Sequence, residues 1–372
     1  MAPYFLVNFI ILTLCLFDCR SLFRNRYLGL LISFPILIIF LGLRDQTGTD
    51  WIFYEQHFYA INGLLEQNLF SFEFGYIYLV KFLSLFTDNY NVFLFLYTLI
   101  ILTLTYFVAI RLRNPNFFIF LFFTLYAIPY MGTLRQFLAL MLFALGAILI
   151  YQRKITSMFL AFLASITIHY SSAISILMPV IKKFNLNNRL HVFFIIVIFL
   201  ISLNFLIQEQ FFDSLLAFAQ FSPYLFKKLS AYAVTDTTAP IFTITDPLII
   251  LRLMTYRLVM IGILYFFYSQ DRNNLFLKWC FKIDIFGFII FLSLFSIFPA
   301  IAIRTSTYFT IFEIVAFASV LKYSRKSILC LCLVVISAQL NFISGLLYGA
   351  DNDLLVPYKS VYYNDNLDRV LR

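Results

Sequence analysis

The feature that most constrains this chain is its string of apolar runs, at residues 3–17, 27–43, 90–110, 117–132, 134–151, 155–168, 170–181, 190–207, 246–268, 283–303, 305–321 and 328–348. A segment that enters hydrocarbon must pair its own backbone N–H and C=O groups, so it is a helix or a strand of a closed barrel. A spanning helix takes about 20 apolar residues, with a lower limit of about 17, and most of these runs approach or exceed that length. The expectation is an all-α, polytopic integral membrane protein forming a single domain over residues 1–372. Charge content agrees, since only 12% of the residues are Asp, Glu, Lys or Arg, against about 25% in soluble domains.

Basic residues set the orientation. Reading 155–168 and 170–181 as a broken pair that turns at His169 gives about 12 transmembrane helices, both ends outside. Six short loops then face the cytoplasm, with basic clusters at 20–26, 111–113, 153–154, 182–189, 272–282 and 322–326 that hold sixteen of the 27 Lys and Arg. The same loops carry only Asp18, Asp271 and Asp284 of the 18 acids. This is the positive-inside asymmetry; fusing the pair would reverse everything downstream and put Lys322 to Lys326 outside. The net charge of +9 is therefore a matter of topology, and no nucleic-acid partner is expected.

Two outside loops are long, 44–89 and 208–245. Within the first, 72–86 reads as a re-entrant or interfacial segment, because a span there would expel Arg111 and Arg113. Residues 349–372 read as a small outside cap. No small-residue cleavage site follows the first run, so it is expected to stay as a helix. Cys15, Cys19, Cys280, Cys330 and Cys332 lie in or near apolar sequence without His-rich spacing, so neither a metal site nor a disulfide framework is expected. Nucleotide and hydrolase motifs are missing from any convincing context, and no cofactor is expected.

Polar side chains set in apolar sequence share one depth, the outer ends of the runs. Arg44, Asp45 and Asp50 follow the second run, in Arg44-Asp45-Gln46-Thr47-Gly48-Thr49-Asp50. Arg135 and Gln136 sit at the turn between the fourth and fifth, and His169 between the sixth and seventh. Arg304 joins the tenth to the eleventh, and Arg252 and Arg257 lie in the ninth. Ionisable groups at membrane depth mark substrate or ion paths, and arginine's planar fork suits phosphate. Together they point to an outward-facing basic cavity for an anionic partner. The alternative at each position is structural: Arg44 anchoring at the headgroups with Asp50 opening a helix, Arg252 and Arg257 pairing with Asp246 and Glu313, His169 holding a turn.

Arg44-x3-Gly48-Thr49-Asp50-x3-Tyr54, Glu73-x-Gly75-Tyr76, Arg135-Gln136, Ile168-His169-Tyr170-Ser171, Arg304-x3-Tyr308-Phe309 and Pro357-Tyr358, in this order, resemble the EpsG family of Wzy-type bacterial polysaccharide polymerases. The resemblance runs from about residue 40 to 360. It implies a multi-pass glycosyltransferase of the bacterial inner membrane that joins undecaprenyl-diphosphate-linked oligosaccharides on the outer face. Cations would stabilise the diphosphate leaving group and a base would take the proton of the attacking hydroxyl. On that reading Arg135 and Arg304 face the diphosphate, and Arg44 joins them or positions Asp50. Tyr54, Gln136, Tyr308, Arg252 and Arg257 line the substrate, and the base is Asp50, His169 or Glu73. No metal is needed, and a chain-length regulator is a further candidate partner beside the lipid bilayer. The rival functions are a flippase for lipid-linked oligosaccharide, expected to show internal repeats and mid-membrane polar groups, and a membrane acyltransferase decorating surface polysaccharide.

Overall fold

The computed structural model describes residues 1–18, 25–63, 72–129, 131–184, 247–295, 299–320, 325–351, 355–356 and 358–361. Among them the regular elements are all helical: α1 (Ala2–Leu14), α2 (Tyr27–Gly42), α3 (Trp51–Ile61), α4 (Phe74–Ser84), α5 (Tyr90–Ala109), α6 (Pro115–Phe122), α7 (Leu134–Tyr151) and α8 (Ile155–Ile168). They continue with α9 (Met178–Lys183), α10 (Pro247–Gln270), α11 (Leu275–Phe295), α12 (Pro299–Phe317) and α13 (Arg325–Asp351). Among the described residues three helices are long and apolar enough to cross a membrane, Tyr90–Ala109, Leu134–Tyr151 and Lys326–Leu347, and shorter apolar helices accompany them. The chain forms two compact units, one of residues 1–173 with 317–372 and one of residues 174–316.

In the first unit the helix ends have identifiable causes. Asn89 starts α5, its side-chain oxygen accepting from the N–H groups of Asn91 and Val92 at 2.8 and 3.3 Å, the usual N-cap arrangement. Pro115 opens α6, and the carboxylate of Asp18 takes the next two N–H donors, Asn116 at 3.4 Å and Phe117 at 2.8 Å. An acid at a helix N-terminus also meets the favourable end of the helix dipole. Helices α7 and α8 form a hairpin through Gln152–Lys154, with Arg153 at a φ of 59°, and Ser165 Oγ donates to Ala139 O across it at 2.8 Å. Helix α8 stops at His169, whose backbone is extended, and a 3-10 turn follows at Tyr170–Leu177. The break expected at His169 is present.

Other expectations need revision. The segment 44–89, expected to be an outside loop, contains α3 and α4, eleven residues each, so its described part is built largely of short helices. Helix α4 covers the segment read as re-entrant or interfacial, and at eleven residues it is shorter than a span requires. Arg304 does not sit at a junction: α12 begins at Pro299 and carries Arg304 inside it. The Thr-Ser-Thr sequence that looks like a turn is accommodated because Thr305 and Thr307 return their hydroxyls to the carbonyls of Ile301 and Ile303, both at 2.7 Å, as helical Ser and Thr can. Lys278, Lys282 and Asp284, assigned to a cytoplasmic loop, lie within α11. The run at 190–207 and the loop at 208–245 lie outside the described residues.

The segment after α2 is clamped from two sides. On one side the C-terminal segment pairs with it: Asp45 N–H donates to Lys359 O at 3.1 Å, Val361 N–H to Leu43 O at 3.0 Å, and Lys359 Nζ to Gln46 Oε1 at 2.9 Å. Tyr358 stacks on Phe40 with ring centroids 4.7 Å apart and donates to Phe40 O at 2.7 Å. On the other side Gly48, at a φ of +100°, presses on Gly132, and a Cβ on Gly48 would lie 2.2 Å from the Gly132 Cα. Only glycine meets both demands. Gly48→Ala should therefore lower the unfolding temperature of the purified protein in detergent, with backbone strain alone costing about 1–3 kcal/mol. Gly262→Ala, where a Cβ meets nothing within 4 Å, should leave it unchanged or raise it.

Candidate active site

Three helix ends of the first unit converge on one carboxylate. Glu73 occupies the N-cap position of α4, Arg135 is the second residue of α7, and His169 caps the C-terminus of α8. Glu73 is fully buried. One of its oxygens accepts from Arg135 Nη1 in an ion pair, and the other lies 3.1 Å from His169 Nδ1. A buried carboxylate is stable only when paired and hydrogen-bonded, and Glu73 has both kinds of partner. Gly75, two residues on, lets α4 sit against α8, where a Cβ would lie 2.5 Å from Thr167 Oγ1.

Aromatic rings enclose the ion pair. The Arg135 guanidinium lies 4.2 Å from the centroid of Phe72 and 5.8 Å from those of Tyr54 and Tyr76, a cation–π setting. Arg135 also donates to the Tyr54 hydroxyl, from its backbone N–H and from its guanidinium. His57, one turn along α3 from Tyr54, meets Phe72 edge-on at 4.3 Å and stacks on Tyr76 at 5.8 Å. The Nε of Arg135 is buried and takes no partner among the described residues.

Arg44 plays a different part. Buried at 4% exposure, it donates to Leu41 O, to Met131 O at 3.0 Å and to Thr98 Oγ1 at 3.4 Å. It thus ties the end of α2 to α5 and to the turn before α7. Burial pushes its guanidinium down to about 10, so it stays charged at neutral pH. Asp50 occupies the N-cap position of α3 without a side-chain capping bond, half-exposed and close enough to Tyr54 to act on its hydroxyl. Gln136 is buried beside Arg135.

The remaining expected residues belong to the second unit. Arg304 is half-buried on α12, and Tyr308, one turn on, is fully buried. Arg257 on α10 donates to Glu313 Oε1 on α12 at 2.8 Å, which is the structural pairing the sequence left open. Asp284 on α11 lies against the Glu313 carboxyl. Arg252 is on α10, and its side chain and Asp246 lie outside the described residues. Among the described residues no group of three or more His, Cys, Asp or Glu side chains forms a metal-holding cluster. Sequence reasoning passed over Phe72, His57 and Tyr76 as parts of the site. The only signals were Tyr76 within Glu73-x-Gly75-Tyr76 and the helical spacing of Tyr54 and His57.

The EpsG family profile matches residues 27–360, most of the chain. This chain belongs to the EpsG family. EpsG is a Wzy-like polysaccharide polymerase family, and the apolar helices agree with a membrane protein. No curated protein and no solved structure matches the chain. The matched residues of this EpsG-family protein include Gly48, Gly132, Tyr358 and Lys359 of the clamps on the Arg44 loop and all three members of the Glu73 cluster.

Removing one partner of a buried ion pair costs about 3–5 kcal/mol, whereas replacing both with apolar groups is far milder. Glu73→Leu should thus destabilise the purified protein strongly in thermal or denaturant unfolding. Glu73→Leu combined with Arg135→Met should recover a large part of that loss, and strictly additive losses would rule out the coupling.

Proposed function

We propose that this EpsG-family protein is a membrane glycosyltransferase that polymerises oligosaccharide repeat units carried on undecaprenyl diphosphate, on the outer face of the bacterial inner membrane. The reading includes a single polytopic domain of about 12 spans with both ends outside. The growing chain is the donor. A hydroxyl oxygen of the terminal sugar on the incoming unit attacks the anomeric carbon of the donor, and the bond from that carbon to the lipid diphosphate breaks. The hydroxyl proton passes to a base, and the lipid diphosphate leaves with the bonding electron pair.

The observation that carries this reading is the bridge from Arg135 through buried Glu73 to His169. A carboxylate accepting from Nδ1–H fixes the imidazole tautomer and leaves the lone pair on Nε2, the arrangement of a general base. His169 is therefore assigned as base, with Glu73 as its positioning residue and Asp50 as the second candidate. Arg135 and Arg304 are assigned to the diphosphate, where fixed cations act on charge that develops in the transition state. Tyr54, Gln136 and Tyr308 are assigned to the substrate surroundings. Arg44 is assigned to positioning, since its donors are taken by Leu41, Thr98 and Met131.

The test is purified protein in liposomes supplied with the organism's own lipid-diphosphate repeat unit and no nucleotide sugar. A ladder of polymers is expected. Arg135→Ala and His169→Asn should each reduce extension by about 100-fold or more, the scale of general acid–base and electrostatic contributions, while the protein remains folded in the membrane. Intact substrate that crosses the bilayer without chain growth would replace the polymerase reading with a flippase. Ladders of normal length from Arg135→Ala would remove the diphosphate assignment.

A further inference from the structure

Immediately below the Glu73 cluster the first unit has an apolar groove of about 650 Å³. Its walls come from four helices: Gly75 and Leu79 of α4, Leu99, Ile100, Thr103 and Leu104 of α5, Leu138 and Leu142 of α7, and Ala164, Thr167 and Ile168 of α8. Two of those helices, α5 and α7, are long and apolar enough to cross a membrane. The upper end of the groove touches the site through the chain itself. Gly75 is two residues from Glu73, Ile168 adjoins His169, and Leu138 lies one turn from Arg135. From there Leu142 is seven residues beyond Arg135, which at 1.5 Å per residue is about 10 Å deeper along α7. Helix α5 descends alongside, since its Tyr97 hydroxyl donates to Leu134 O at the start of α7 at 3.3 Å and Leu104 lies two turns beyond.

The wall offers water almost nothing. Leucines, Ile100, Ile168, Gly75 and Ala164 make up most of it; its hydroxyl residues are Thr103 and Thr167, and the Thr167 hydroxyl is turned back to Ala164 O at 2.9 Å. An open apolar groove of this kind is best covered by hydrocarbon, because apolar surface is favourably removed from water. Its volume lies within the range of about 300–1,000 Å³ in which ligand sites fall. The occupant is hydrocarbon along the groove, and a polar head on it falls on the side of Arg135 and His169, which adjoin the wall residues Leu138 and Ile168 in the chain. A lipid diphosphate whose reacting bond lies at those residues has its first isoprene units at this opening.

We propose that the groove bounded by α4, α5, α7 and α8 holds the head-proximal part of the polyisoprenoid chain of the lipid carrier, and so selects carriers by their tail. The proposal rests on the polymerase reading for the chemistry at the head, but the groove can be probed without any reaction.

Two experiments test it on the full chain in liposomes. The first uses a polyprenyl diphosphate bearing a diazirine in its first isoprene units and no sugar. After irradiation, labelled residues should fall in the Leu99–Leu104 and Leu138–Leu142 peptides. Unlabelled undecaprenyl diphosphate should compete the labelling away, and phosphatidylethanolamine at the same concentration should not. Labelling spread over other lipid-facing helices, or lost equally to phosphatidylethanolamine, would make the groove ordinary lipid space and overturn the proposal. The second compares chain extension on a long polyprenyl carrier with that on a short carrier of two isoprene units bearing the same repeat unit. Leu104→Trp and Ala164→Phe fill the groove, and each should raise KM for the long carrier by about tenfold with kcat and both constants of the short carrier unchanged. Unchanged constants for both carriers, or an equal loss on both, would overturn it. If wild-type protein extends neither carrier, the polymerase reading fails by itself, and specific labelling by the diazirine probe still establishes the groove as a polyisoprenoid site.

Discussion

Glu73 has no exposed surface, and an ionised carboxylate in that position would be prohibitive without partners. Everything around it supplies them. Arg135 brings a guanidinium from the start of α7, His169 brings an imidazole from the end of α8, and the N-terminus of α4 adds its own positive partial charge. Those three ends can meet because Gly75 allows α4 to lie against Thr167 of α8 and because the α7–α8 hairpin fixes Arg135 and His169 on the same side. The charge network and the helix packing are therefore one structure: loosening the packing would expose or orphan the carboxylate, and losing the carboxylate would leave Arg135 buried with its charge unmatched.

A second network holds the surroundings. Arg44 is nearly as buried as Glu73, but its partners are carbonyl oxygens and a threonine hydroxyl. It satisfies carbonyl oxygens at the end of α2 and at the turn before α7, the kind of backbone group that cannot be left unpaired at membrane depth. The segment Tyr358 to Val361 finishes the same task from the opposite side by pairing with the backbone of Leu43 and Asp45. Arg44 and Gly48 lie more than 300 residues from Tyr358 in sequence, yet they serve one local purpose. They hold the segment that leads into Asp50 and Tyr54.

Much of the architecture could be read directly from the chain because membrane insertion is governed by length and apolarity, which sequence displays. Helices α5, α7 and α13 coincide with the strongest apolar runs, and the break at His169 followed from counting positive charges. The errors have a common origin in treating every polar residue as a boundary. Arg304, Lys282 and Asp284 sit inside helices because a helix satisfies its backbone internally and asks only that each side chain find its own partner, as Lys282 does with Phe184 O. That partner is set by tertiary packing, which periodicity does not reveal. Glu73, Arg135 and His169 were legible as candidate site residues, but not as a pairing. Nothing in the spacing of Glu73, Arg135 and His169 says that one carboxylate serves both cations, and the aromatic shell of Phe72, His57 and Tyr76 looks like ordinary apolar bulk in a chain with 49 phenylalanines.

What takes an arginine's donors decides what that arginine can do. Arg257 is engaged by Glu313 and Arg44 by backbone, so neither offers a ready pair of donors to a phosphate. Arg135 also has a carboxylate partner, but with a difference that matters for the proposed reaction: its Glu73 is shared with His169. On the proposed reading the cluster holds, before reaction, one anion, one cation and a neutral imidazole, with a net charge of zero. When His169 takes the hydroxyl proton the cluster becomes a unit positive, at the same moment that the departing diphosphate gains negative charge. An interaction that is weak with the bound substrate and strong with the separating charges lowers the barrier without holding the substrate more tightly. On this reading the shared carboxylate keeps the resting site neutral enough to be buried in a membrane, and lets the reaction itself create the positive charge that the leaving group needs.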